Sequence, residues 1–183
     1  MKPNTQEIKL TERINQNVSV GRQIVLIQGL GFVGLAVAAV VAAARNEMGE
    51  PKYFVLGVDL PHAQERIDAI NDGRCPIQSP DPELPICIED AVNSQGNLYA
   101  TSETGVYGFA DVIVVDIGLD VSDRFAYDSG GVSIQLDSYK NAIHVIGQQM
   151  RENALVIIES TVPIGMTEDI VLPILKEERA KRG

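Results

Sequence analysis

The sequence has few of the residues that build metal centres, disulfide frameworks or stacking platforms. Its 183 residues include no tryptophan, two cysteines (Cys75 and Cys87) and two histidines (His62 and His144). Two cysteines make no disulfide framework, and no His and Cys spacing resembles a zinc site. Aromatic residues form 5% of the chain, which argues against a stacking platform for single-stranded nucleic acid. We therefore expect no metal, and reduced thiols of the kind typical of the cytoplasm.

Basic residues are scarce in the middle of the chain. The formal net charge is −10, and residues 53–137 contain fifteen Asp and Glu against three Arg. A nucleic-acid interface needs clustered Lys and Arg, so we expect no nucleic-acid partner. The chain is 45% hydrophobic and 22% charged, and it is long enough for one globular domain with a sizeable core.

One long apolar run, Ile24 to Ala44, contains only one strongly polar residue, Gln28. Its length would fit a membrane span, and basic residues upstream would fit a signal peptide. However, the first half is β-branched, the second half is Ala-rich, and three glycines separate them. Each glycine costs a continuous helix about 1 kcal/mol relative to alanine. We therefore interpret the run as a strand, a turn and a helix, and expect no membrane association.

Apolar strands alternate with helices after a polar, partly helical arm at residues 1–22. Strands are predicted at 23–28, 53–59, 98–102, 111–117 and 154–161. Helices are predicted at 35–45, 62–71, 86–93, 136–151 and 166–181, the last kinked or broken at Pro173. Four prolines exclude a regular element at 73–85, and 118–133 is predicted to be a loop. The pattern indicates an α/β domain at 23–183, with a Rossmann-type doubly wound parallel sheet and helices on both faces.

The glycines of the sequence GLGFVG, residues 29–34, lie where the first strand should turn into the first helix. A lone G-x-G-x-x-G is weak, but Asp59 ends the second strand twenty-five residues after Gly34, close to the spacing of a ribose-binding acid. Gly29 would permit the tight turn, Gly31 would let a pyrophosphate approach, and Gly34 would let helix and strand pack closely. The helix N-terminus would offer N–H groups and partial positive charge to the phosphates.

Asp59 is expected to accept hydrogen bonds from the adenosine ribose and to repel a 2′-phosphate, which predicts NAD rather than NADP. Two alternatives stay open at this point. The glycines could serve packing alone while Asp59 caps a helix, or the domain could bind S-adenosylmethionine, which also uses a Gly-rich turn and an acid after the second strand.

Four stretches together resemble the UDP-glucose/GDP-mannose dehydrogenases. They are GLGFVGLA (29–36), RIDAINDGRCPIQSPDPEL (66–84), LYATSE (98–103) with ADVIVVDI (110–117), and ESTVPIGMTEDIV (159–171). The second is similar to the family's helix and N-x-G-x-x-P-I-x-x-P loop, and the fourth is similar to its STVPxGT segment. The likeness extends over about residues 23–175.

The resemblance implies a two-domain oxidoreductase that takes the C6 alcohol of a UDP- or GDP-sugar to the uronic acid, as in polysaccharide biosynthesis. Its catalytic cysteine, lysine and asparagine would belong to a C-terminal domain beyond Gly183. We therefore expect the cofactor domain alone, with no catalytic residue, working with that missing domain and a nucleotide-sugar substrate. Family members commonly dimerise through the helix that connects the two domains, so a homodimer is a further expectation. Cys75 and Cys87 match no catalytic motif and are interpreted as core or loop thiols.

By position, the resemblance assigns cofactor contacts to three regions. The phosphate turn comprises Gly29, Leu30, Gly31, Phe32, Val33 and Gly34. The adenosine side comprises Asp59, Arg66, Thr101 and Ser102. The nicotinamide end comprises Gly118, Glu159, Ser160 and Thr161. Plain alternatives exist: Arg66 could be a solvated helix charge, and Ser160 and Thr161 could satisfy backbone groups at a strand end.

One departure from the family pattern follows the fourth strand. Where the family usually has Thr-Pro-Thr, this chain has Ile117-Gly118-Leu119, flanked by Asp116 and Asp120. No hydroxyl group is present at this position, which puts the usual contacts of that loop in doubt. A non-catalytic NAD-sensing or assembly module therefore stays open as an alternative.

Overall fold

The computed structural model of the chain describes residues 5–121 and 134–183. Its helices are α1 (Thr5–Ser19), α2 (Phe32–Ala43), α3 (Gln64–Asn71), α4 (Glu83–Glu89), α5 (Asp137–Gln149) and α6 (Leu172–Arg182). Its strands are β1 (Gln23–Gln28), β2 (Tyr53–Val58), β3 (Leu98–Thr101), β4 (Val112–Val115), β5 (Asp120–Val121), β6 (Ile134–Gln135) and β7 (Leu155–Ile158). Short 3₁₀ helices occur at Pro61–Ala63 and Thr104–Phe109, and π-helical turns at Asp90–Ser94 and Thr167–Val171.

Five strands form one parallel sheet in the order β3-β2-β1-β4-β7. The chain starts in the middle of the sheet, moves outward to β3, and then crosses to β4 and β7 on the other side. β5 lies in the segment predicted to be a loop, 118–133, and β6 follows that segment directly; the two form a separate antiparallel pair, and residues 122–133 lie outside the described residues. The predicted doubly wound parallel sheet is confirmed.

The sheet is buried on both faces from β3 to β4, as its uniformly apolar strands predicted, but one face of the edge strand β7 is exposed, with Leu155 at 57% and Ile157 at 42%. In β1, Ile24 and Leu26 belong to one hydrophobic cluster, whereas Val25 and Ile27 belong to the other. The first cluster is covered by α1, α5, α6 and the 3₁₀ helix before β4. The second is covered by α2, α3 and α4. Because successive strand residues point to opposite faces, β1 to β4 each contribute to both cores, whereas β7 contributes only to the first.

The N-terminal segment is a helix packed against the sheet. Leu10 is 5% exposed and Ile14 is fully buried in the first cluster, and the Arg13 guanidinium lies 5.2 Å from the centre of the Tyr99 ring. On this face the connection from β3 to β4 contains only the short 3₁₀ helix, so α1 contributes apolar cover that the crossover does not provide. The division into an arm at 1–22 and a domain from 23 stays a prediction.

The long apolar run is not one continuous helix. β1 ends at Gln28, Gly29 adopts a φ of 95°, and α2 begins at Phe32. Gln28 is buried, and its side-chain oxygen accepts a hydrogen bond from the Tyr107 hydroxyl. Burial raises the pKa of Tyr107 above its usual value, which keeps the hydroxyl protonated as the donor. Among the described residues, no helix combines the length and apolarity needed to span a membrane.

Two proline-containing segments show where the sequence-based boundaries need correction. α4 begins at Glu83, inside the stretch predicted to be irregular, so Pro85 lies in its first turn, where a backbone N–H has no helical partner. The Asp81 carboxylate accepts a hydrogen bond from the Glu83 N–H at 2.9 Å and so supports this start. Near the C-terminus, a π-helical turn gives way to α6 directly before Pro173, at the predicted break.

We expect the burial of α1 to show in a matched pair of substitutions. Ile14→Ala should lower the free energy of unfolding by about 3 kcal/mol, because it leaves a cavity in the core. Ile8→Ala, on the same helix at a site that is 45% exposed, should change it by less than about 0.5 kcal/mol. Urea denaturation measures both values, and equal effects at the two positions would contradict the docking of α1.

Candidate dinucleotide-binding site

The residues predicted to form the site follow the carboxyl ends of the parallel strands. Each strand of the sheet is followed within three residues by one of them: Gly29 after β1, Asp59 after β2, Ser102 after β3, Gly118 after β4 and Glu159 after β7. Parallel strands bring these ends to a single edge of the sheet, where ligands of open α/β sheets bind. The fold therefore collects residues that are more than one hundred positions apart in sequence.

Gly29 and Gly34 are required by the packing of the turn itself. The Gly29 N–H donates to the Val58 carbonyl oxygen at 2.8 Å, and a Cβ at Gly29 would stand 2.1 Å from the Asp116 carbonyl oxygen. A Cβ at Gly34 would stand 1.9 Å from the Gly29 carbonyl oxygen. No side chain fits at either position, so these glycines hold the first turn of α2 against the ends of β1 and β4.

Gly31 differs, because nothing in the described structure lies within 4 Å of the place where its Cβ would stand. Its φ of −70° is one that any residue adopts, so neither packing nor backbone conformation requires glycine here. Gly31 is also the residue before α2, whose N-terminus carries no side-chain cap. A backbone open to approach beside an uncapped helix N-terminus suits an anionic ligand.

The three other residues of the turn are placed differently from one another. The Leu30 side chain is 1% exposed and packs so closely on Gly57 that a Cβ there would lie 2.6 Å from one of its methyl carbons. Leu30 therefore presents only its backbone to the site. Phe32 and Val33 are 60% and 49% exposed. Gly57 was not predicted as part of this arrangement, although a glycine inside an apolar strand is a signal for such a close approach.

Asp59 lies beside the glycine turn, as the spacing predicted. Its Oδ2 accepts a hydrogen bond from the Leu30 N–H at 3.3 Å, and its Oδ1 accepts one from the Leu60 N–H at 2.8 Å. The Arg66 guanidinium donates to Oδ2 at 2.7 Å. Arg66 is thus an ion-pair partner of Asp59 rather than an isolated helix charge. A carboxylate has about four lone-pair sites, and the described residues occupy three of them, which leaves one for a hydroxyl donor.

Thr101 and Ser102 extend the Asp59 side of the site. The Thr101 carbonyl oxygen accepts a hydrogen bond from the Asp59 N–H at 3.1 Å, and its buried hydroxyl accepts one from the Glu103 N–H. Together with Leu10 of α1, Thr101 and Ser102 line a cavity of about 80 Å³. The cavity places the N-terminal helix next to the predicted adenosine side.

The N-x-G motif at the end of α3, residues 71–73, has a structural explanation. The side-chain amide of Asn71 donates to the Ala100 carbonyl oxygen and accepts from the Ala100 N–H, both at 2.8 Å. Gly73 adopts a φ of 74°, and a Cβ there would meet the side chain of Asn93 at 2.4 Å. This motif therefore fixes the end of α3 to the edge strand β3.

A second cleft, of about 500 Å³, separates the loops that follow β4 and β7. It is lined by Asp116, Ile117, Gly118, Leu119, Ser160, Thr161, Val162 and Pro163. The buried Ser160 hydroxyl accepts from the Ile117 N–H at 2.9 Å and donates to the Val115 carbonyl oxygen at 3.2 Å. Ser160 thus joins the two loops through backbone groups, whereas Gly118, Glu159 and Thr161 are exposed.

The two cysteines lie away from these clefts. Both are free thiols, half-buried against the cluster formed by α2, α3 and α4. The Cys75 thiol donates a weak hydrogen bond to the Ile77 carbonyl oxygen. In the part of the chain that the structure describes, no group of three His, Cys, Asp or Glu could hold a metal ion.

Comparison with known proteins gives a family match over most of the chain. The family model described as "UDP-glucose/GDP-mannose dehydrogenase family, NAD binding domain" matches residues 23–183. The chain is similar to NDP-N-acetyl-D-galactosaminuronic acid dehydrogenase of Ralstonia nicotianae, with 31% identity over 86% of this chain and 32% of the relative. It is 33% identical to UDP-N-acetyl-D-mannosamine dehydrogenase of Campylobacter jejuni, over 85% of this chain and 33% of the relative.

Solved structures share the fold. The NDP-N-acetyl-D-galactosaminuronic acid dehydrogenase of Methanosarcina mazei Go1 gives a TM-score of 0.73 at 23% identity, covering 93% of this chain and 34% of that one. A ternary complex of GDP-mannose dehydrogenase from Pseudomonas aeruginosa gives 0.69 at 25% identity, covering 85% and 32%. The chain spans about a third of the length of the curated relatives it matches.

Gly34 is closely packed and Gly31 is not, so we expect alanine at these two positions to have opposite effects on the free energy of unfolding. Gly34→Ala should lower the free energy of unfolding by about 3 kcal/mol, since the new methyl group overlaps the Gly29 carbonyl oxygen. Gly31→Ala should leave it unchanged or raise it by up to about 1 kcal/mol, because the methyl group meets open space and the unfolded chain loses freedom. Denaturant unfolding of the ligand-free chain measures both. A stable Gly34→Ala variant would refute the close packing of the turn.

Proposed function

The chain belongs to the UDP-glucose/GDP-mannose dehydrogenase family, whose NAD-binding domain it matches, and from this premise we propose how it holds NAD. The observation that carries the proposal is the hydrogen bond from the Leu30 N–H to the Asp59 carboxylate. This contact joins the turn that would receive the phosphates to the acid that would receive the ribose. A dinucleotide could therefore engage both groups at once.

The diphosphate would bind at the turn between β1 and α2. Gly31 leaves the backbone open there, and the N-terminus of α2 supplies unpaired N–H groups with partial positive charge. Phe32 and Val33 would contact the ligand through their backbone at this helix start. The side chain of Leu30 takes no part, because it is buried against Gly57.

The adenosine ribose would bind at Asp59. The carboxylate oxygen atoms are already fixed by Leu30, Leu60 and Arg66, so the group is held in place before a ligand arrives. Arg66 is engaged with Asp59 and is therefore not free to pair with a 2′-phosphate, which supports NAD over NADP. Thr101 and Ser102 would border the adenosine, whereas Gly118, Glu159, Ser160 and Thr161 would border the nicotinamide half.

The activity of the whole protein is part of the same proposal. The relatives are named as dehydrogenases of GDP-mannose, UDP-N-acetyl-D-mannosamine and an NDP-N-acetyl-D-galactosaminuronic acid, which supports a nucleotide sugar as the substrate. In this assignment the present domain supplies the cofactor, and a further domain supplies the substrate site and the catalytic residues. Pairing of two such proteins as a homodimer is included, and the free thiols of Cys75 and Cys87 support a cytoplasmic location.

Isothermal titration calorimetry tests the cofactor assignment directly. We expect saturable binding of NAD, binding of NADP weaker by about tenfold or more because its 2′-phosphate would face Asp59, and no binding of S-adenosylmethionine. Binding of S-adenosylmethionine in preference to NAD would overturn the proposal. So would failure of a folded chain to bind NAD at millimolar concentration.

A second prediction concerns Gly31 alone. Gly31→Ala should weaken NAD binding by about tenfold or more, because its methyl group would occupy the face that the diphosphate approaches. The melting temperature of the ligand-free variant should stay at that of the parent chain. Gly105→Ala is the matched control, since its new methyl group also meets open space but lies outside the turn. Equal NAD affinity in both variants would remove the phosphate turn from the proposed site.

A further inference from the structure

The residue that follows β4 places a carboxylate at the glycine turn. A Cβ built at Gly34 would lie 3.0 Å from Oδ2 of Asp116, and the Asp116 carbonyl oxygen limits the space at Gly29. The Asp116 N–H donates to the Gln28 carbonyl oxygen at 2.8 Å, so its backbone is fixed beside the end of β1. The half-buried Asp116 carboxylate therefore stands against the first turn of α2, where the diphosphate is proposed to bind.

The charge of Asp116 is not balanced within residues 5–121 and 134–183. In this part of the chain the Asp116 carboxylate has no hydrogen-bond or ion-pair partner. The cleft that Asp116 borders is lined by residues without Lys or Arg. Asp59 provides the contrast, because Arg66 pairs with it at 2.7 Å on the opposite side of the same turn. Among the described residues, the turn is thus flanked by the Asp59 carboxylate, whose charge is paired with Arg66, and by the Asp116 carboxylate, whose charge has no such partner.

We propose that Asp116 is a specificity-determining residue that weakens the binding of anionic dinucleotides at this turn and disfavours most the ligands with the greatest negative charge. The inference rests on the proposed NAD site. A like charge a few ångströms from a diphosphate at a half-exposed position reduces a binding constant by about tenfold. NAD⁺ carries a positive nicotinamide ring that offsets part of its diphosphate charge, whereas ADP-ribose and NADH do not. Asp116 therefore favours the oxidised cofactor over the reduced one.

The same carboxylate has a second role in the ligand-free chain. A negative charge near a helix N-terminus interacts favourably with the helix dipole, so Asp116 partly takes the electrostatic role that the phosphates of a bound dinucleotide would have. A bound dinucleotide would have to share that position with it. Removal of the charge should consequently raise ligand affinity while it lowers the stability of the free protein. A residue with a purely structural role would not move these two quantities in opposite directions.

The test compares Asp116→Asn with the parent 183-residue chain, using ADP-ribose, NADH and NAD⁺ as calorimetric probes. We expect the variant to bind ADP-ribose and NADH about tenfold more tightly and NAD⁺ by a smaller factor. The melting temperature of the free variant should fall by about 1–3 °C. Glu50→Gln is the matched control, because it removes one carboxylate charge just before β2, at the opposite edge of the sheet. It should change each affinity by less than about twofold.

Several results would overturn the inference. Unchanged or weaker binding of ADP-ribose by Asp116→Asn would show that the carboxylate does not repel the diphosphate, as would an equal gain in Glu50→Gln. Asp116→Ser, which also removes the charge, provides the same comparison if the asparagine variant does not fold. If the parent chain binds NAD⁺ and the variants match it, only this inference fails. If neither parent nor variant binds any probe, the proposed NAD site fails together with it.

Discussion

The close approach of three strand ends at Gly29 is the constraint on which the rest of this structure depends. The Gly29 N–H is held by β2 through Val58, and its α-carbon lies so near the backbone after β4 that no side chain fits between them. Gly34 repeats the restriction one turn later, against Gly29 itself. These contacts determine where α2 begins and which way its N-terminus points. They also bring the residues after β2 and β4, Asp59 and Asp116, to opposite sides of the same turn.

The parts of the fold that depend on local pattern could be predicted from the sequence. Uniformly apolar strands, the glycine spacing and the position of Asp59 were sufficient for the parallel sheet and for the turn. The docking of α1 was not predictable in this way, because Leu10 and Ile14 are isolated apolar residues in a polar segment and their burial depends on a space left by the short β3–β4 crossover. The start of α4 was missed because Pro85 indicates a break, although a first-turn proline breaks nothing.

The site shows a similar division between what spacing reveals and what only tertiary contacts reveal. The sequence indicated that residues 29–34 form one functional unit, yet Gly29 and Gly34 serve packing, Leu30 serves the core, and Gly31 alone has no structural reason to be glycine. Arg66 could be interpreted either as a solvated charge or as a site residue until its contact with Asp59 was seen. Ser160 likewise lies at the proposed nicotinamide end, and its hydroxyl also joins the loop after β7 to the loop after β4 by hydrogen bonds.

The contact between Asn71 and Ala100 has a consequence for how the sheet can grow. The unpaired main-chain N–H and C=O groups of an edge strand can form hydrogen bonds with a strand of another molecule, and an uncovered edge strand therefore favours association. At Ala100 the side-chain amide of Asn71 pairs with both the main-chain N–H and the main-chain carbonyl oxygen, as a residue of a neighbouring strand would. Lateral addition is thereby blocked at this point of β3.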